Sequence, residues 1–117
     1  MERVEFITTE SGDDLVVSYA LSAGEPGEIR SLVLQRTPKY EFLFDKSERG
    51  VRFSDEDSLD EDDMLQSIDI SENIIHLQTL RRKYALDIRG VVKKELKRAE
   101  EILRKMNYDG AFELRIL

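Results

Sequence analysis

The first half of the chain alternates apolar and polar positions with a period of two, the signature of strands with one covered face. Arg3–Thr9 sets Val4, Phe6 and Thr8 against Glu5, Ile7 and Thr9, and Gly12-Asp13 supplies turn chemistry after it. Leu15–Leu21 carries Leu15, Val17, Tyr19 and Leu21 on one side. Gly24-Glu25-Pro26-Gly27 is the strongest turn signal, since proline fixes φ and glycine admits positive φ. Ile29–Arg36 follows as a strand, and Pro38 belongs between strands or at an edge. Tyr40–Phe44 places Tyr40, Phe42 and Phe44 together. After a polar turn ending at Gly50, Val51–Phe53 pairs with it as a hairpin of aromatic cross-strand contacts. These aromatics, with Phe53, are expected in the core rather than around a ligand.

Alternation stops over 55–63 and resumes at Met64, Gln66, Ile68 and Ile70. The stretch 74–88 fits two patterns. Ile74, Leu77, Leu80, Tyr84 and Ile88 share a helical face, while Ile75, Leu77 and Thr79 share a strand face. The strand reading is preferred, because Glu72-Asn73 makes a two-residue hairpin turn from the β-like segment before it. From Gly90 the period changes to that of a helix. Val92, Leu96, Ala99, Leu103 and Met106 follow spacings of 4, 3, 4 and 3, and Val91 and Ile102 widen the stripe. Glu100 with Arg104 and Glu101 with Lys105 add i,i+4 pairs on the far side, and Asn107 and Gly110 give the stop. Phe112, Leu114 and Ile116 close the chain as a strand. The expected architecture is α+β. An antiparallel β-meander of about six to eight strands packs against one long C-terminal amphipathic helix at 90–107, and a final short strand follows.

A chain of 117 residues with 40% apolar content suits a single domain over 1–117 with its own core. No internal repeat or low-complexity linker divides it. The sequence contains no cysteine, so disulfides and thiolate metal ligands are excluded, and a reducing cytoplasm is the expected setting. The N-terminus lacks a basic segment followed by an apolar run, and uninterrupted apolar runs reach three residues, so neither a signal peptide nor a membrane span is expected.

Charge changes this picture more than composition does. Residues 1–80 carry seven Lys/Arg against nineteen Asp/Glu, and residues 81–105 carry ten against four, within a formal net charge of −7. Seven of the nine residues in 55–63 are carboxylates: Asp55, Glu56, Asp57, Asp60, Glu61, Asp62 and Asp63. Their mutual repulsion disfavours a helix or strand and leaves a loop. Asymmetry of this kind bears on partners rather than on fold. The loop fails as a calcium site. Counted from Asp55, the fifth position is Leu59, the sixth is Asp60 instead of glycine, and the twelfth is Gln66 instead of glutamate. No metal and no cofactor are expected. Ser54 and Ser58 each have an acidic residue three positions on, a weak match to acid-directed phosphorylation.

The basic segment comprises Arg81, Arg82, Lys83, Arg89, Lys93, Lys94, Lys97 and Arg98. It offers charge for nucleic-acid phosphates but lacks a recognition motif with stacking aromatics, and an ordinary solvated helix face explains much of it. His76 is the single histidine and is expected as a partly buried structural residue. There is no cysteine nucleophile, Gly-x-Ser-x-Gly elbow or glycine-rich phosphate loop, so no catalytic residue is assigned. The sequence therefore reads as a non-enzymatic interaction or regulatory module, monomeric or homodimeric, that meets a basic protein partner through its acidic loop. A nucleic-acid-binding module using residues 81–98 is the first alternative. A small hydrolase or isomerase with His76 in a carboxylate-lined cleft is the second.

Overall fold

The structure is a computed structural model describing residues 1–57 and 62–117. Among the described residues the alternating segments become eight strands, and the 3.6-period segment becomes one α-helix. The strands are β1 (Glu2–Ser11), β2 (Leu15–Ser22), β3 (Ile29–Arg36), β4 (Arg52–Asp55), β5 (Asp63–Ile70), β6 (Ile74–Thr79), β7 (Lys83–Asp87) and β8 (Glu113–Ile116). Helix α1 spans Lys93–Met106 between β7 and β8. The ambiguous stretch 74–88 forms the two strands β6 and β7 joined by a turn at 80–82, in line with the strand reading, and Ile75, Leu77, Leu86 and the following Ile88 are buried.

The sheet order is β4-β3-β2-β1-β7-β6-β5-β8. Two features depart from an open antiparallel meander. β4 also pairs with β5 through Arg52↔Met64 and Phe53↔Asp63, which joins the sheet into a closed ring of seven strands. The pairings β1–β7 and β5–β8 are parallel. Crossing back through α1 is what lets the chain re-enter beside β5 in a parallel sense, since a tight hairpin cannot make that connection. Closure leaves fewer open edges than a meander would present.

The helix is also shorter than the apolar stripe suggested. It has 14 residues and begins at Lys93, because Gly90–Val92 form a turn in which Val91 N–H donates to the Ile88 carbonyl. Ala99, Ile102, Leu103 and Met106 then face the core, where they meet Val4, Val17, Leu21 and other inward residues of the sheet. Glu95 ties α1 to β1 directly. Its Oε1 accepts the Ile7 backbone N–H at 2.8 Å, just past a register shift in the β1–β2 ladder between Val4 and Phe6. An irregular ladder leaves backbone donors without strand partners, and the carboxylate takes one.

The largest departure lies between β3 and β4. Pro38–Leu43 is a 3-10 helix instead of a strand, and Lys46–Glu48 is another. Proline at the start suits a tight helical turn, where its missing N–H costs nothing. The expected hairpin of Tyr40–Phe44 with Val51–Phe53 therefore does not form. Phe53 alone of those aromatics is core, where its ring lies 5.3 Å from that of Tyr84 at 44°. Gly50 returns the chain toward β4 with φ of +143°, a conformation that side chains rarely adopt.

Candidate functional site

One side chain organises the region after β3. In β3 the inward phase runs Leu32, Leu34, Arg36, so the alternation itself delivers an arginine to the core, and Arg36 is among the largest fully buried side chains. A guanidinium has five N–H donors and no acceptor, and all five are engaged. Nε and one Nη donate to the Glu41 carboxylate at 2.7 and 2.8 Å. Both Nη atoms donate to the Asp109 carboxylate at 2.8 and 2.7 Å, and one also reaches the Met106 carbonyl at 2.6 Å. That carbonyl belongs to the last residue of α1, where backbone acceptors lack helical donors and positive charge is favoured. The Tyr108 ring covers the cation at 4.4 Å, and its hydroxyl donates to Glu41 at 3.2 Å.

Burial works against the Arg36 charge, but the two carboxylates outweigh it and raise its pKa. In return, the Arg36 hydrogen bonds hold Glu41 and Asp109 below the usual carboxylate range. Pairs of this kind are poor sources of net stability, because desolvation offsets the attraction. What this one does is fix geometry. It pins the 3-10 segment Pro38–Leu43, the end of α1 and the turn before β8 to one point.

The consequence is visible on either side of Glu41. With the charge drawn inward, the neighbouring aromatics must face out. Phe42 is 72% exposed and Leu43 68%, and Tyr40 and Phe44 are exposed as well. Tyr40, Phe42 and Phe44 were expected in the core. The physical reason for their exposure is that Glu41 occupies the inward position of the turn, held there by Arg36. Large apolar side chains massed at one surface point mark a contact site more often than scattered ones do. The knuckle they form is bordered by charge. Phe44 lies against Arg52, 5.9 Å from its ring to the guanidinium carbon. A depression lined by Tyr40 and Phe44 also reaches Asp14, Glu48 and Arg52, and a second one shares Glu48 and Arg52 and reaches Asp62, Met64 and Leu80.

The acidic stretch is less uniform than its sequence. Asp55 is buried at the end of β4, where its two oxygens accept Arg30 Nε at 2.9 Å and an Arg30 Nη at 3.0 Å, and Tyr84 donates at 2.8 Å. Burial pushes its pKa up, but Arg30 and Tyr84 prevail and hold it below the ordinary value. The same contact, after burial, lifts the Tyr84 phenol to about 12. Asp63 is buried at the start of β5 and accepts Thr79 Oγ1 at 2.7 Å and the Arg81 backbone N–H at 3.3 Å. Both carboxylates are thus engaged within the fold. Glu56, Asp57 and Asp62 are exposed, although Glu56 accepts the Ser31 N–H at 2.8 Å and Asp57 lies 3.5 Å from Arg30. Asp60 and Glu61, with Ser58, lie outside the described residues.

The basic residues are not gathered into one patch. Arg81, Arg82 and Lys83 sit at the β6–β7 turn, while Lys93, Lys94, Lys97 and Arg98 are exposed on α1, beyond the far end of β7. Arg81 turns toward the acidic stretch, its Nε 3.4 Å from the Asp62 carbonyl. Arg89 pairs with Asp87 at 2.8 Å, which draws that carboxyl down to about 2. His76, expected to be partly buried, is exposed on β6, because the inward phase of that strand belongs to Ile75, Leu77 and Thr79. The depression beside it contains one carboxylate, Asp69, and Arg115 holds it at 2.5 Å. Ser54 is exposed on β4. Among the described residues no group of three or more His, Asp or Glu side chains is placed to hold a metal ion, and no helix is long and apolar enough to cross a membrane.

Sequence reasoning missed Arg36, Phe42 and Leu43 as site residues. The signal was present in two places: an arginine in the inward phase of an apolar strand, and a lone glutamate inside an aromatic run. Compared with known proteins, the chain matches no family model, no characterised protein and no solved structure.

Proposed function

We propose that this protein is a non-enzymatic interaction module that meets a basic protein partner through the Phe42–Leu43 knuckle and the acidic side chains beside it. The observation that carries the reading is the outward presentation of those two residues by a turn whose centre, Glu41, is locked from below. Exposed aromatics are the residues that anchor protein contacts, and a rigid mount lowers the ordering cost of binding. Glu48 lines the depression that Tyr40 and Phe44 also line, and Asp62 lines the adjoining one with Glu48 and Arg52. Glu56 and Asp57 are exposed on the acidic stretch, so a contact spanning these groups gains from positive charge opposite. A partner with an apolar socket rimmed by Lys or Arg has the matching chemistry. Charge then sets approach and orientation, while the aromatic anchor sets residence.

The test is capture from the host lysate over a salt series, run with three forms of the protein. The wild type should retain a discrete partner that is lost as salt rises. Phe42→Ser/Leu43→Ser should lose it at all salt concentrations. Glu56→Lys/Asp57→Lys/Asp62→Lys should lose it even at low salt. Equal retention by all three forms would remove the proposal.

A further inference from the structure

A second feature lies at the other end of α1 and goes beyond the interaction reading. Between the N-terminal half of the helix and the sheet is a cavity of about 330 Å³. Ile7, Ile70, Ile75, Ile88, Leu96 and Leu103 supply its apolar wall. Its size falls at the lower end of small-molecule sites, roughly 300–1,000 Å³.

Two observations say what it would take. Tyr19 is part of the wall and fully buried, and its hydroxyl is the one buried side-chain polar atom among the described residues with no hydrogen-bond partner. Buried hydroxyls are nearly always paired, and an orphan is costly. Burial also holds this phenol well above its ordinary pKa, so it stays a neutral O–H. Lys93 and Lys97, one turn apart on α1, line the same cavity, are exposed, and form no ion pair among the described residues. The two acids of the rim are Glu100, which is paired with Arg104 at 3.1 Å, and Glu72. An apolar interior with one neutral hydrogen-bonding group inside and two ammonium groups at the mouth describes an amphiphile in reverse.

We infer that this cavity binds a medium-chain carboxylate bearing a neutral hydroxyl or carbonyl at its inner end. The chain lies along the isoleucine and leucine wall, the neutral group pairs with Tyr19, and the carboxylate stays at the mouth with Lys93 and Lys97. A charged group at the inner end is excluded by the cost of burying it beside a lone phenol.

The test is calorimetric titration of the full chain with 10-hydroxydecanoate, decanoate and 1,10-decanediol, with backbone amide NMR shifts to locate binding. 10-Hydroxydecanoate should bind at least fivefold more tightly than either analogue and shift the amides of Tyr19, Ile75 and Leu96. Tyr19→Phe, which keeps the shape, should erase the preference over decanoate while leaving decanoate affinity within twofold. Lys93→Glu/Lys97→Glu should weaken both carboxylates at least tenfold and the diol less than twofold. No saturable shift at the cavity amides up to millimolar probe would overturn the inference. So would an undiminished preference for the hydroxy acid in Tyr19→Phe.

Discussion

Replacing Arg36 with methionine isolates what the buried arginine does. Methionine fills a similar length of the core, so the cavity contribution is small and the electrostatic one is left. The loss removes five hydrogen bonds, including both from Arg36 to Glu41, and leaves that buried carboxylate without its counter-charge and with the 3.2 Å bond from the Tyr108 hydroxyl. Asp109 is better placed, since its side chain is 41% exposed and water can replace the contact. The dominant cost is therefore one unpaired buried charge, about 3–5 kcal/mol. With about 2.1 cal/mol/K of unfolding entropy per residue, 117 residues give roughly 0.25 kcal/mol/K, so Tm should fall by about 12–20 °C. Urea unfolding at pH 7 reads the same quantity as a lower midpoint at constant slope. Adding Glu41→Gln should return about half of the loss or more, because the stranded group is then neutral. Refutation is direct. A cost below about 1 kcal/mol for Arg36→Met, or a double variant as unstable as the sum of its parts, would mean that Glu41 is not held by Arg36 in solution.

Three further outcomes follow from the same geometry. Glu41, Asp55 and Asp109 all have folded pKa values below their unfolded ones. Their contribution is present above the unfolded values near 4 and is lost as pH falls through the lower folded values, so urea midpoints should hold from pH 7 to 5 and drop steeply below about 4. Tyr19→Phe removes an unpaired buried hydroxyl without changing shape and should stabilise the protein by about 1 kcal/mol, read as a higher urea midpoint. Gly50→Ala forces a side chain into positive φ and brings Cβ within 2.7 Å of the Met64 methyl, so thermal unfolding should show a loss of about 1–3 kcal/mol.

Most strands around the core were legible because their apolar residues repeat every two positions, and α1 because its stripe repeats at 3.6. β1 and β5 are exceptions, since register shifts bury Val4 with Ile7 and Leu65 with Ile68 and leave Phe6 exposed. Ring closure was not legible. It depends on two residue pairs between β4 and β5, and no local pattern encodes which distant edges meet. The segment Tyr40–Phe44 misled for a definite reason. Tyr40, Phe42 and Phe44 alternate like a strand, but Glu41 has a stronger claim on the interior through an arginine reached only when β3 is folded. The acidic stretch misled in a related way. Asp55 and Asp63 look like the rest of the run, yet each sits in the inward phase of a strand and meets Arg30 with Tyr84, or Thr79, from a different part of the chain. Charge density along a sequence shows where carboxylates are, and only the fold shows which are already engaged.

The central claim is that the knuckle at Phe42 and Leu43 is where this protein touches its partner. Placing a photo-crosslinking benzoylphenylalanine at position 42 in the host, with position 76 on exposed β6 as the control, tests it most directly. The account predicts a discrete crosslinked species from position 42 that disappears when Glu56, Asp57 and Asp62 are reversed to lysine, and none from position 76. Crosslinking at position 42 no greater than at position 76 would contradict it.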